Sequence, residues 1–230
     1  MGPLLICGGV AAAAVVLARM FMAPLYDLLI VKMTALWYEK VFERLAARSK
    51  LLDIGIGTAT ALVRNADAVR AKQLDVVGID YEASYIRRAA AMVASAGLAE
   101  RVSVHCRSVY DELSDLRVGG QQFDAVYFSG SLTLMPDPPE ALRAAAKLVV
   151  HGGPIYITQT FQNVRSPLME RVKPLLHVLT TVDFGVVTYH SQVAQIVAAA
   201  GLVIVEDKAI PNSIDTRFQT ARLIEVRERK

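Results

Sequence analysis

The sequence predicts an α/β fold, a doubly wound and mostly parallel sheet whose final strand runs antiparallel. Three observations carry this. From residue 50 onward, short apolar runs alternate with helix-like runs. The first apolar run ends in a Gly-x-Gly turn at Gly55 and Gly57, directly before a helix-like run. The alternation fails only at the end of the chain, where two strand-like runs follow one another across a loop. Consecutive strands joined that way pair antiparallel.

In chain order, the strand-like runs are KLLDIG from Lys50, LDVVGID from Leu74, RVSVHC from Arg101, FDAVYFS from Phe123, GPIYITQTF from Gly153, LVIVEDKAI from Leu202 and ARLIEVRE from Ala221. Each is short, rich in β-branched or aromatic residues and bounded by turn formers. The helix-like runs between them cover 60–72, 82–97, 138–149, 166–181 and 191–201. Gly97 and Gly201 stand where helix-ending glycines belong. Five or six parallel strands and one reversed strand near the edge are expected. Ahead of them, Leu29, Met33, Leu36, Trp37, Val41 and Leu45 recur at helical spacing. Residues 24–49 therefore read as a helical lead-in to one domain over 24–230.

The 230 residues are 53% hydrophobic, with a mean hydropathy of +0.36. That exceeds an ordinary soluble domain, and residues 3–31 hold an unusual share of it. Gly2 to Ala18 carries no charge, near the lower length limit for a spanning helix. Arg19, Lys32 and Lys40 follow it. Residues 2–23 are expected to form an N-terminal hydrophobic helix that anchors the protein in a membrane. Positive-inside bias then leaves the catalytic domain on the cytoplasmic or matrix side. A cleaved signal peptide is disfavoured because no basic segment precedes the apolar core. A buried or interfacial helix is the alternative.

The net charge of +3 is mild and the basic residues are scattered, so nucleic acid is not an expected partner. Cys7 and Cys106 form neither a disulfide framework nor a zinc site, and no metal is expected.

Open parallel sheets bind ligands beyond the carboxyl ends of their strands, where strand order reverses. LLDIGIGTAT (Leu51 to Thr60) supplies such a place. Glycines let the backbone turn tightly and let a ligand approach it, and the helix that follows points its N-terminus at the ligand. Asp80 ends the second strand, suited to accept from ribose hydroxyls. Two features separate the turn from a dinucleotide site. Thr60 stands where a third glycine would permit close helix packing. Asp53, ahead of the glycines, is unwelcome beside a pyrophosphate and useful beside a sulfonium or an ammonium.

On these residues the chain resembles the class I S-adenosylmethionine-dependent methyltransferases, which implies a Rossmann-like sheet and S-adenosylmethionine as cofactor. The resemblance covers roughly residues 50–228. LLDIGIGTAT resembles their acidic G-x-G motif, which implies that Asp53, Gly55, Gly57 and Thr58 contact the donor. VVGIDYEASYIRRAA resembles their second motif, with Asp80 at the ribose and Tyr81 beside the adenine. RVSVHCRSVYDEL resembles the adenine loop, which brings in Ser108 and Val109. FDAVYFSGSL resembles the fourth strand and its exit, which brings in Ser129 and Gly130. Two departures stand out. Ala59 replaces a glycine that is frequent in the first motif, and Ser108 replaces the adenine-binding aspartate.

Methyl transfer is an in-line displacement in which positioning supplies much of the rate. A general base is needed only when the acceptor holds its proton. The weak candidates are Tyr26, in the segment before the domain, and His190, in VTYHSQ. His190 reads more readily as a capping or surface residue, and His105 as structural. DPPE at Asp137 to Glu140 does not follow the fourth strand immediately and lacks an aromatic fourth residue, so amino-group methylation of bases is not indicated. The layout is similar to small-molecule methyltransferases of quinone and lipid type. The expected acceptor is small and apolar or lipidic. The alternative is a non-catalytic subunit or assembly factor of a membrane or organellar protein complex.

Overall fold

A computed structural model of the chain describes residues 30–117, 120–165 and 187–229. The expected anchor over 2–23, Tyr26 and the helix expected over 166–181 lie outside the described residues. Among the described residues, no helix is long and apolar enough to cross a membrane.

Seven strands form one sheet: β1 (Lys50–Ile54), β2 (Asp75–Asp80), β3 (Val102–Cys106), β4 (Ala125–Ser129), β5 (Ile155–Gln162), β6 (Leu202–Ala209) and β7 (Gln219–Glu228). Their spatial order is β3-β2-β1-β4-β5-β7-β6. β1 through β5 pair parallel. β7 runs antiparallel to both β5 and β6, one place in from the edge. The six parallel strands and single reversed strand match the pattern of sequence alternation. Strand order reverses between β1 and β4, which leaves a crevice at their carboxyl ends.

The helices are α1 (30–44), α2 (Thr60–Val63), α3 (Ala66–Lys72), α4 (Ala83–Ser95), α5 (Pro138–Leu148) and α6 (His190–Ala199). One helix was expected over 60–72 and two are found. The side chain of Asn65 donates to the carbonyls of Ala35 at 2.9 Å and Ala61 at 3.1 Å. Asparagine bonding of this kind competes with the helix ladder, and here it sets the break between α2 and α3.

Two apolar clusters cover the two faces of the sheet. One gathers Leu52, Ile54, Phe128, Leu142 and Val197 with α5 and α6. The other gathers Leu51, Val76, Tyr127 and Leu62 with Trp37, Tyr38, Val41 and Phe42 of α1. Side chains alternate along a strand. Asp53 therefore shares its face with Leu51 and looks toward α1, between Gly78 of β2 and Tyr127 of β4 in register.

Candidate active site

The turn after β1 is held from three sides. The amides of Gly55 and Ile56 both donate to the carbonyl of Ile79, at 2.8 and 3.1 Å. The hydroxyl of Ser131, just past β4, donates to the carbonyl of Ile54. The amide of Gly57 donates to Asp80 Oδ2 at 3.0 Å.

Both glycines have left-handed backbone, with φ of +79° at Gly55 and +58° at Gly57, which side chains rarely tolerate. Their surroundings differ. A Cβ on Gly55 would lie 2.5 Å from Ser131 Cβ, whereas a Cβ on Gly57 would meet nothing among the described residues within 4 Å. Gly55 is thus a packing glycine, and Gly57 fronts open space that a ligand can enter.

Ala59 also sits at positive φ, 56°, and is buried. It stands where glycine is frequent in the resembling motif, and its small side chain is accommodated in the apolar cluster around α1. The Thr58 and Thr60 hydroxyls share a hydrogen bond at 2.8 Å at the mouth of α2.

Asp80 is nearly buried. Besides Gly57, it accepts from the amide of Glu82 at 2.9 Å through Oδ1. Glu82, not Asp80, caps α4. A carboxylate has about four acceptor positions, so Asp80 retains capacity for ribose hydroxyls. Beside it the Tyr81 side chain is 81% exposed, an uncovered aromatic surface at the crevice.

In the loop after β3, the Ser108 amide donates to Asp111 Oδ2 at 2.8 Å, and the Ser108 hydroxyl accepts from the Tyr110 amide at 3.3 Å. Val109 is buried in the core with Leu113 and Phe128, which leaves its backbone to face a ligand. The Tyr110 hydroxyl is fastened to the backbone of Asp137, which fixes the loop against α5. At the end of β4, the Gly130 amide donates to the carbonyl of Thr158 at 2.9 Å. Ser129 ends β4 in register with Thr158 of β5 and is half-buried.

Asp53 has no exposed surface. Its Oδ2 accepts from the Tyr38 hydroxyl at 2.5 Å, and its Oδ1 is buried without a partner among the described residues. Burial pushes its carboxyl up to about 7, with the Tyr38 hydrogen bond pulling down and the nearby Asp80 charge pushing up. Burial likewise drives Tyr38 well above the ordinary tyrosine range.

His190 stands apart from this group. Its ring pairs with Asp207 of β6, which also holds Arg222 of β7, and it packs edge-on against Phe161. It opens α6 beside the outer strands, while the glycine turn lies at β1 and β4. The ring is held as a structural hydrogen-bonding group.

Sequence reasoning missed four residues that shape the crevice: Tyr38, Ser131, Trp37 in any role beyond core packing, and Gln159. The Gln159 side-chain oxygen is buried, has no partner among the described residues and lies 3.9 Å from where a Gly130 Cβ would be. The available signal was a glutamine inside an otherwise buried strand. Trp37 packs 3.6 Å from that same Gly130 position and donates to the Ser213 hydroxyl at 3.1 Å.

The fold and the turn together define a class I S-adenosylmethionine-dependent methyltransferase. A family profile described as "Methyltransferase domain" matches residues 45–200, and the chain belongs to that family. Similar folds occur in solved structures of low sequence identity. The mitomycin 7-O-methyltransferase MmcR is 16% identical with a TM-score of 0.65; the match covers 86% of this chain and 54% of that one. A SAM-dependent methyltransferase from Thiobacillus denitrificans, in complex with S-adenosyl-L-homocysteine, is 16% identical with a TM-score of 0.56, covering 85% and 91%. The [4+2]-cyclase SpnF is 18% identical with a TM-score of 0.58, covering 80% and 76%.

The residues present fit the cofactor of this class. Gly57 opens onto free space, Asp80 keeps acceptor capacity, Tyr81 offers an aromatic face, and two carboxylates suit a cationic ligand.

Proposed function

We propose that this protein transfers a methyl group from S-adenosylmethionine to a small acceptor with an apolar body. The observation that carries the donor half is the Gly57 turn, tied to Asp80 and open to a ligand. Bound there, the donor supplies a methyl carbon already activated by a positive sulfur. The chain's own residues supply position and field. Asp80 and Tyr81 orient the nucleoside end, the glycine turn lets the ligand reach the backbone, and Asp53 and Asp80 make the crevice favourable to positive charge.

The acceptor half rests on a pocket of about 690 Å³ between α1, the end of α2 and the loop from β6 to β7. Met33, Leu36 and Ile214 give it apolar walls, Lys32 and Arg64 bring positive charge and Glu39 negative charge. Its size is that of a small-molecule site. Ser213 lines it and holds Trp37, which reaches Gly130. Trp37 thus links the pocket wall to the end of β4. The uncharged Gly2 to Ala18 stretch supports a membrane-held enzyme, with its domain on the cytoplasmic or matrix side, taking an acceptor from lipid.

The test is transfer itself. The full chain in mild detergent is incubated with methyl-labelled donor and fractionated lipid and polar extracts. Label moving into an organic-soluble product supports the reading. Label in a polar product alone overturns the apolar acceptor.

A second reading, a donor-binding subunit without transferase activity, is favoured by one observation. His190, the imidazole named as a candidate base, is bound to Asp207. Donor binding with no label leaving the donor in any fraction would select it.

A further inference from the structure

Asp53 is placed at unusual cost. It lies in the middle of the sheet with no exposed surface, and one oxygen has no partner among the described residues. The titratable groups around it are Tyr38 from α1, Tyr127 from β4 and Asp80 from the end of β2. None of these is cationic. Tyr127 is turned to Thr158, its hydroxyl 2.8 Å from Thr158 Oγ1, with its ring edge-on to Tyr38 at 5.0 Å between centroids. Tyr38 is thus the hydrogen-bond donor that the Asp53 carboxylate has. A buried carboxylate in such company is costly to ionise without a positive partner. Asp53 nevertheless sits two residues before Gly55, directly behind the turn that fronts the ligand space.

We propose that Tyr38 is a positioning residue for the cationic end of the methyl donor, acting through Asp53. Its hydroxyl donates to the carboxylate and so eases the ionisation that the donor favours, and donor binding is coupled to loss of a proton from Asp53. This rests on the reading that the glycine turn holds S-adenosylmethionine. The balance is simple: a neutral carboxyl hydrogen-bonded to Tyr38 becomes a carboxylate hydrogen-bonded to Tyr38, one proton goes to solvent, and no covalent bond to carbon changes. Charges interact strongly at low dielectric, so direct contact is not required.

Linkage fixes the sign. A ligand that prefers ionised Asp53 binds more tightly as pH rises through the range where the empty site loses its proton. The limit is about tenfold per pH unit for one proton. Removing the Tyr38 hydroxyl makes ionisation harder and moves that range upward.

The experiment is calorimetric titration of the full chain with S-adenosylmethionine from about pH 6 to about pH 8.5, in wild type, Tyr38→Phe, Asp53→Asn and the double variant. The donor's own amino group titrates in this range. All variants share that ligand, so ratios between them isolate the protein's proton. Tyr38→Phe should weaken binding roughly tenfold near neutrality, and the deficit should shrink toward the top of the range. In the Asp53→Asn background, adding Tyr38→Phe should change affinity by less than about twofold at every pH. A Tyr38→Phe deficit that is constant with pH, or that persists with Asp53→Asn, overturns the proposal in favour of a packing role. Failure of the wild type to bind at any pH overturns the donor-site reading itself. Thermal melts of each variant confirm that folded protein is being titrated.

Discussion

Asp80, at the end of β2, accepts a hydrogen bond from the Gly57 amide in the turn after the neighbouring β1 at 3.0 Å. One carboxylate at the end of β2 thus fixes the turn after β1 and still offers acceptor positions to a ribose. Asp80→Ala should remove both effects. A hydrogen bond to a charged group is worth about 1.5–3 kcal/mol, so donor affinity should fall tenfold or more. The apolar clusters on both faces are untouched, so the variant should retain its circular dichroism spectrum. Calorimetry and spectra on the same sample check this.

The two glycines should respond in opposite ways. Gly55→Ala places a Cβ 2.5 Å from Ser131 Cβ at a positive φ. It should cost roughly 1–3 kcal/mol of stability by overpacking and backbone strain. Gly57→Ala has strain but open space, so it should cost roughly 1 kcal/mol. Its methyl group, however, points into the ligand space and should weaken donor binding more than its stability cost accounts for. Denaturant melts and donor titrations on the pair separate the two effects.

Asp53 should make the ligand-free protein less stable as pH rises. The unfolded carboxyl ionises near 3.8 and the folded one near 7. Between those values the unfolded chain binds fewer protons, so stability falls with rising pH. The contribution is complete below about pH 4 and lost through about pH 7. Asp53→Asn removes this dependence. The variant should therefore gain relative to wild type between a melt near pH 5 and one near pH 8. An unchanged difference between the two pH values would show that Asp53 does not titrate in the folded state.

Gln159 presents an unpaired buried oxygen next to Gly130. If the acceptor lies there, Gln159→Leu should leave donor affinity within about twofold and reduce transfer about tenfold through one lost hydrogen bond. Stability should change little, because the unsatisfied buried acceptor is removed together with the long Gln159 Nε2 contact to the Thr188 hydroxyl at 3.5 Å. Steady-state kinetics with donor and acceptor varied in turn distinguish the steps.

His190→Ala should leave transfer within about twofold, since the ring is committed to Asp207 of β6 and Phe161 of β5. A stability loss of roughly 1 kcal/mol is expected from the broken pair. A large fall in turnover, with donor binding intact, would return His190 to catalysis.

The fold was legible in the sequence where local pattern and global topology agree. LDVVGID and FDAVYFS are continuous apolar runs because β2 and β4 are covered on both faces. LVIVEDKAI and ARLIEVRE, with only a loop between them, become the antiparallel pair β6 and β7. Helix α1 was legible from spacing alone, but its purpose was not. Tyr38 is one more aromatic on an apolar stripe until the sheet brings Asp53 beneath it. Ser131 and Gln159 were hidden for the same reason: each acts on a partner far away in sequence. The break at Asn65 was missed because its cause is a carbonyl of Ala35, thirty residues upstream.

The account stands or falls on the glycine turn as a donor site. The most direct measurement is calorimetric titration of the full chain with S-adenosylmethionine at neutral pH, paired with Asp80→Ala. The account predicts one donor per chain at an affinity usual for enzyme ligands, micromolar to about millimolar, lost or weakened tenfold or more in the variant. A folded wild-type chain that takes up no donor, or an Asp80→Ala variant that binds it equally well, would contradict it.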